Sequence, residues 1–151
     1  MTNTPDEIQY TARVQIVGGR QGGRAVSEDG VMDVQLTAPK ETGGPGTGTN
    51  PEQLFAMGYG ACFQSALTAV AKKAGVDASE STVEVAVGFG PHDKSFALTV
   101  ELTGRIPGVD AEQAQELMEA AHEICPYSKA TRGNVPVTLR GVVATEASET
   151  P

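Results

Sequence analysis

The chain has no tryptophan, only 5% aromatic residues, two histidines and two cysteines, and its 11 Lys and Arg are outnumbered by 19 Asp and Glu. Each shortage excludes something. A net charge of −8 with scattered cations repels phosphate backbones, and few aromatic faces are available for bases to stack on. Neither nucleic acid nor membrane is therefore an expected partner. The sequence is read as lacking an apolar run of about 18 residues and a basic, apolar leader, so neither a membrane span nor export is expected. The expected location is cytoplasmic, where thiols are kept reduced. Two cysteines there point to catalysis, redox sensing or metal binding rather than to a permanent staple.

What is present suffices for one domain over residues 1–151, since 151 residues with 39% hydrophobic content can bury a real core. Residues 1–7 and 144–151 are polar and Pro-punctuated and read as flexible tails. Ile8, Tyr10, Ala12, Val14 and Ile16 alternate with polar residues, the period of a half-buried strand. The turn Gly18-Gly19-Arg20-Gln21-Gly22-Gly23-Arg24 leads to a second short strand, and Met32, Val34 and Leu36 alternate in a third. The loop Pro39 to Thr49 has no Lys-Ser/Thr ending and is not a phosphate loop.

Asn50 as N-cap and Pro51 at the first helical position start a helix to about Lys73, with Gly75 as its stop. Its expected apolar face is Leu54, Phe55, Gly58, Ala61, Cys62, Ala66, Ala69 and Val70. Val83–Phe89 and Phe96–Leu102 read as a hairpin across Gly90-Pro91-His92-Asp93. Asp110 caps a second helix, with Ala114, Leu117, Met118, Ala121, Ile124 and Cys125 on one face, which Pro126 ends. Val135, Val137 and Leu139 form a last strand. This order defines an α+β fold, with largely antiparallel sheets packed on two main helices.

Two readings of Cys62 and Cys125 stand side by side. Free cysteine is among the most buried residue types, so both can be core packing. Chemistry instead needs a thiolate, and an ordinary thiol ionises near pH 8.5 unless a cation or helix N-terminus intervenes. Cys62 lies twelve residues past Asn50, beyond the reach of the helix dipole. The cation candidate is Arg20, flanked by glycines that let backbone approach a site, with Arg24 in reserve. Glu52 could orient that guanidinium; the plainer readings are a solvated hairpin arginine and a first-turn helix acid. Ten residues of straight helix separate Glu52 from Cys62 by roughly 15 Å. Either the helix breaks near Gly58, or Arg20 and Glu52 serve Cys62 from the second subunit of a dimer.

Asn50-Pro51-Glu52-Gln53-Leu54-Phe55 leading to Ala61-Cys62-Phe63, the stretch Ala121-His122 to Cys125-Pro126-Tyr127-Ser128, the segment Ala130-Thr131-Arg132-Gly133-Asn134, and the early Gly-Gly-Arg turn together resemble the organic hydroperoxide resistance proteins of the OsmC/Ohr superfamily. The similarity covers about residues 8–143, and Cys-Pro-Tyr-Ser places it nearer the Ohr branch. One residue is inserted before Arg24 relative to the usual family turn.

The resemblance implies an intertwined homodimer and a thiol peroxidase. Cys62 would be the peroxidatic thiolate, Cys125 the resolving thiol, and Arg20 with Glu52 the activating pair. It implies no bound cofactor, an organic hydroperoxide substrate, and reduction of the Cys62–Cys125 disulfide by an external dithiol, dihydrolipoamide or a lipoylated protein. Phe55, Met57, Tyr59, Phe63 and Tyr127 would offer an apolar substrate surface, although each is also a natural core residue. Two rivals are kept. His122, Cys125, Cys62 and His92 could make a zinc set, and the same fold could be a non-catalytic redox sensor or small-molecule binding module.

Overall fold

The structure is a computed structural model that describes residues 2–144. The tail expected over 144–151 lies, from residue 145 on, outside the described residues. The chain forms two compact units, Met1–Leu54 and Phe55–Pro151.

In the first unit, strands β1 (Val14–Val17), β2 (Arg24–Ser27) and β3 (Asp33–Gln35) make an antiparallel meander, with Val14 opposite Ser27 and Ala25 opposite Val34. The first strand is shorter than expected. Its ladder begins at Val14; Ile8 and Tyr10 lie outside it and are exposed. Alternation specifies which face a strand could bury, but a strand also needs a neighbour to bond to, and β2 ends at Ser27.

Gly18, Gly19 and Gly22 all take positive φ in the β1–β2 turn, which lets six residues fold back so that Gly23 N–H reaches Gly19 O at 3.0 Å. After a short 3-10 turn at Lys40–Thr42, Asn50 begins helix α1 (Pro51–Lys73) as expected: its Oδ1 accepts from Gln53 N at 2.9 Å.

In the second unit, β4 (Thr82–His92) and β5 (Ser95–Ile106) form a long hairpin closed by Asp93 and Lys94, with Asp93 at φ 51°. β6 (Val137–Val143) adds alongside β5 in parallel, so the sheet is mixed, in the order β4-β5-β6. Helix α2 (Ala111–Ile124) is capped by the Asp110 carboxylate on Gln113 N at 2.8 Å. Pro126 does end it, but also begins a further short helix, α3 (Pro126–Thr131), which the sequence reading lacks. A proline lacking its own N–H suits a first helical position as well as it suits a stop.

Tyr59, Phe63, Leu67 and Ala71 of α1, Ala114, Met118 and Ala121 of α2, and Val100, Leu102 and Ile106 of β5 share one core. This corrects the expected face of α1. The buried stripe is Tyr59, Phe63, Ala66, Leu67 and Ala71, while Ala61 and Ala69 are exposed. Bulk decides between two apolar stripes: burying Tyr, Phe and Leu removes far more apolar surface from water than burying alanines. Ile124, placed on the apolar face of α2, is also exposed.

The expectation of no apolar run of about 18 residues needs correction as well. Within α1 an 18-residue window reaches a mean hydropathy of 1.3, long and apolar enough by composition to cross a membrane. Core helices of soluble proteins pass the same test, and α1 carries core residues along its length.

Candidate active site

The second unit brings Cys62 and Cys125 together. Cys125 Sγ lies 3.7 Å from Cys62 Sγ and both are free thiols. Their settings differ: Cys62, in the middle of α1, is half-buried, whereas Cys125 is fully enclosed. Cys125 occupies the single residue joining two helices. Its N–H closes α2 on Ala121 O, and its extended backbone (φ −63°, ψ 125°) starts α3. Pro126 enforces that conformation, because a residue before proline is driven out of the α region.

Burial pushes the Cys62 thiol up from its ordinary pKa, the backbone N–H of Tyr127 pulls it down, and the neighbouring Cys125 sulfur pushes it up again. The net direction is upward, so within one chain the balance favours the thiol over the thiolate.

Tyr127 is held close by a glycine. A Cβ at Gly58 would stand 2.9 Å from the Tyr127 hydroxyl, so glycine lets that ring lie against α1 without shifting. The ring centroid is 5.7 Å from that of Tyr59, which in turn meets Phe55 edge-on at 6.1 Å. Among the expected substrate-surface residues, Met57 and Tyr127 are exposed and Phe55 is half-buried. Tyr59 and Phe63 are completely buried in the core and are corrected from wall to framework.

The first unit assembles the other pair. Arg20 Nη1 and Nη2 donate to Glu52 Oε2 and Oε1 at 3.0 and 2.8 Å, a bidentate fork that satisfies both carboxylate oxygens. Arg20 holds the Glu52 carboxyl below its usual range, and Glu52 raises the arginine further. The partnership expected from the glycine turn and the first turn of α1 is thus present. Arg24, the reserve cation, is engaged in a different, exposed fork with Asp33 at 2.7 and 2.6 Å. Helix α1 runs without a break from Pro51 to Lys73, so the alternative of a break near Gly58 is overturned.

The zinc set does not converge: among the described residues no three metal-ligating side chains come together. His92 pairs with Asp93 on the exposed hairpin, and His122 Nδ1 bonds Ser128 Oγ at 2.8 Å. Ser128 and Thr131 were not among the expected site residues. The signal for them was the serine of Cys-Pro-Tyr-Ser itself, completely buried two residues from a proline.

The family model described as OsmC-like protein matches residues 44–140. The organic hydroperoxide resistance protein of Xanthomonas axonopodis pv. citri is 47% identical over 138 residues, 90% of this chain and 96% of the relative. The solved structure of the organic hydroperoxide resistance protein of Elizabethkingia anophelis superposes with a TM-score of 0.82 at 45% identity, covering 93% of this chain and 99% of the other. That of OhrB of Bacillus subtilis gives 0.80 at 46%, covering 90% and 99%. The chain belongs to the OsmC-like family, on its organic hydroperoxide resistance branch.

Proposed function

We propose that this protein is a cytoplasmic thiol peroxidase that reduces organic hydroperoxides to alcohols. The observation that carries the reading is the pair of free thiols 3.7 Å apart, one reachable and one enclosed. The names of the relatives support the substrate class. The Cys62 thiolate attacks the outer peroxide oxygen; the O–O bond breaks, the alkoxide takes a proton and leaves as alcohol, and Cys62 becomes a sulfenic acid. Cys125 then attacks the Cys62 sulfur, an S–S bond forms, the S–O bond breaks, and the thiol proton leaves with hydroxide as water. An external dithiol, dihydrolipoamide or a lipoylated protein, takes up the oxidising equivalents and restores both thiols; no bound cofactor takes part.

The thiolate needs a cation, since burial raises the Cys62 pKa. Arg20, fixed by Glu52, supplies it from the second subunit of a homodimer. The unbroken helix places Glu52 roughly 15 Å along α1 from Cys62, which argues against service within one chain. An apolar helix with only one face in the core supports the dimer, since Met57, Ala61 and Ala69 remain exposed.

The test is consumption of cumene hydroperoxide with dihydrolipoamide present. The wild type turns over many equivalents and Cys62→Ser falls to background. Activity surviving that substitution sinks the reading, and consumption that stops after one equivalent per chain favours a redox sensor instead.

A further inference from the structure

One polar network near the two sulfurs has no part in the chemistry proposed above. Tyr59 and Ser128 are completely buried and Thr131 nearly so. Ser128 Oγ lies 2.9 Å from the Tyr59 hydroxyl and 2.8 Å from His122 Nδ1; the Tyr59 hydroxyl lies 3.1 Å from Thr131 Oγ1, and Thr131 Oγ1 donates to Ser128 O at 3.2 Å.

Proton counting orders these bonds. Each hydroxyl donates once. If His122 Nδ1 donates to Ser128, Ser128 donates to Tyr59, Tyr59 to Thr131, and Thr131 to the Ser128 carbonyl, so every contact is used. If His122 Nδ1 accepts, Ser128 must donate to it, Tyr59 to Ser128 and Thr131 to Tyr59, and the last bond to the carbonyl is lost. The complete chain therefore runs outward from the Nδ1–H tautomer. Burial pushes the His122 pKa down, with Arg132 adding to the effect, so the ring serves as a neutral donor near pH 7.

The placement of the four residues suggests their use. Tyr59 is three residues before Cys62 on α1, and His122 three before Cys125 on α2; Ser128 and Thr131 lie on α3, three and six residues beyond Cys125. On α1 the spacing of three puts Tyr59 on the same side of the helix as Cys62, while His122 in the last turn of α2 and Ser128 in the first turn of α3 flank the Cys125 cap. Ser128 bonds to α1 and α2 at once, so the single residue joining α2 to α3, Cys125, is tied to the helix bearing Cys62. A buried hydroxyl chain adds little net stability compared with apolar packing, and loses much if one member is removed.

We infer that the chain His122–Ser128–Tyr59–Thr131 is a positioning device for the resolving step, holding the Cys125 turn so that its sulfur meets Cys62. The inference rests on the peroxidase reading. Closing a disulfide brings the sulfurs from 3.7 Å to about 2.05 Å, and misplacement by about 1 Å can slow a reaction on the order of a hundredfold. The hydrogen bonds of the network run between oxygens and the His122 nitrogen, and none of these four bonds involves a sulfur.

The experiment times closure of the Cys62–Cys125 disulfide after a pulse of cumene hydroperoxide, and separately after diamide, an azo oxidant that takes two electrons and two protons from a dithiol. Tyr59→Phe, which removes only the hydroxyl, and His122→Ala should each close about tenfold more slowly with either oxidant. His122→Asn, which restores an N–H donor at the Nδ1 position, should return to within about threefold of wild type. Alkylation of reduced Cys62 by iodoacetamide should stay within about twofold throughout, because its pKa is shifted by burial, the Tyr127 backbone and Cys125, not by Tyr59 or His122. Closure at wild-type speed in Tyr59→Phe overturns the inference. So does equal slowing in His122→Ala and His122→Asn, or a parallel fall in closure and alkylation, which would mark general loosening. A wild type that closes with diamide but consumes no hydroperoxide removes the peroxidase reading alone.

Discussion

The chain carries two close side-chain pairs, one in each unit, and they are built on opposite principles. Arg20 and Glu52 are both ionised, joined by two short bonds and only partly buried, and each holds the other's charge in place. Cys62 and Cys125 lie 3.7 Å apart, and burial pushes the Cys62 thiol up from its ordinary pKa. Neither pair is reactive alone: a carboxylate-bound guanidinium does no redox chemistry, and a thiol with a raised pKa is a poor nucleophile. Charge and nucleophile thus belong to separate pairs, and the function proposed above needs both.

That contrast is broken most severely by removing the cation. Arg20→Ala should lower the rate of hydroperoxide consumption at pH 7 by about a hundredfold, and raise the pH at which Cys62 becomes alkylated by about one to two units. An unchanged alkylation profile would detach the arginine from the thiol. Cys125→Ser sharpens the other side: the first turnover persists, but with repeated hydroperoxide the Cys62 sulfenic acid passes to sulfinic acid, read as about 32 Da added by mass spectrometry.

Glu52→Gln should cost less, about tenfold in rate, since Arg20 keeps its charge and loses its orientation. The same variant tests the linkage. Because Arg20 lowers the folded-state pKa of Glu52, the pair's stabilisation is present above the unfolded glutamate value of about 4.3 and is lost as pH falls through the lower folded value. Its size is about 1 kcal/mol at most, given the exposure of Arg20. Melting curves from pH 7 down to pH 3 should show a smaller acid-side loss in Glu52→Gln than in the wild type, the remainder coming from carboxylates such as Asp29, Asp33 and Asp77. The smallest effect belongs to Arg24→Ala, whose fork with Asp33 is exposed; hydroperoxide consumption should remain within about twofold.

Much of this was legible because certain residues act locally. Asn50 followed by proline, and Asp110 three residues before Gln113, name helix starts by the donors they satisfy. The alternation of Val83–Phe89 and Phe96–Leu102 is local too, and both strands are present. What was missed depends on partners distant in sequence. Ile8 and Tyr10 have strand periodicity but lie beyond the ladder. Tyr59 looked like a pocket wall until Ser128 and Thr131, about 70 residues away, were seen to hold its hydroxyl. The face of α1 was misjudged because the helix is apolar nearly all round, so hydropathy alone could not choose between stripes. Pro126 was read as a stop because a stop and a start share one signature.

The complete enclosure of Cys125 has a consequence for how the oxidised protein is recycled. In the proposed cycle an incoming thiol would meet an enclosed Cys125 sulfur and a half-buried, more accessible Cys62 sulfur, so access would set the direction of exchange. In that cycle attack would fall on Cys62, with Cys125 as the leaving group and the transient adduct on α1. A bulky maleimide should accordingly label the reduced native protein once per chain, at Cys62, and a second time only after unfolding.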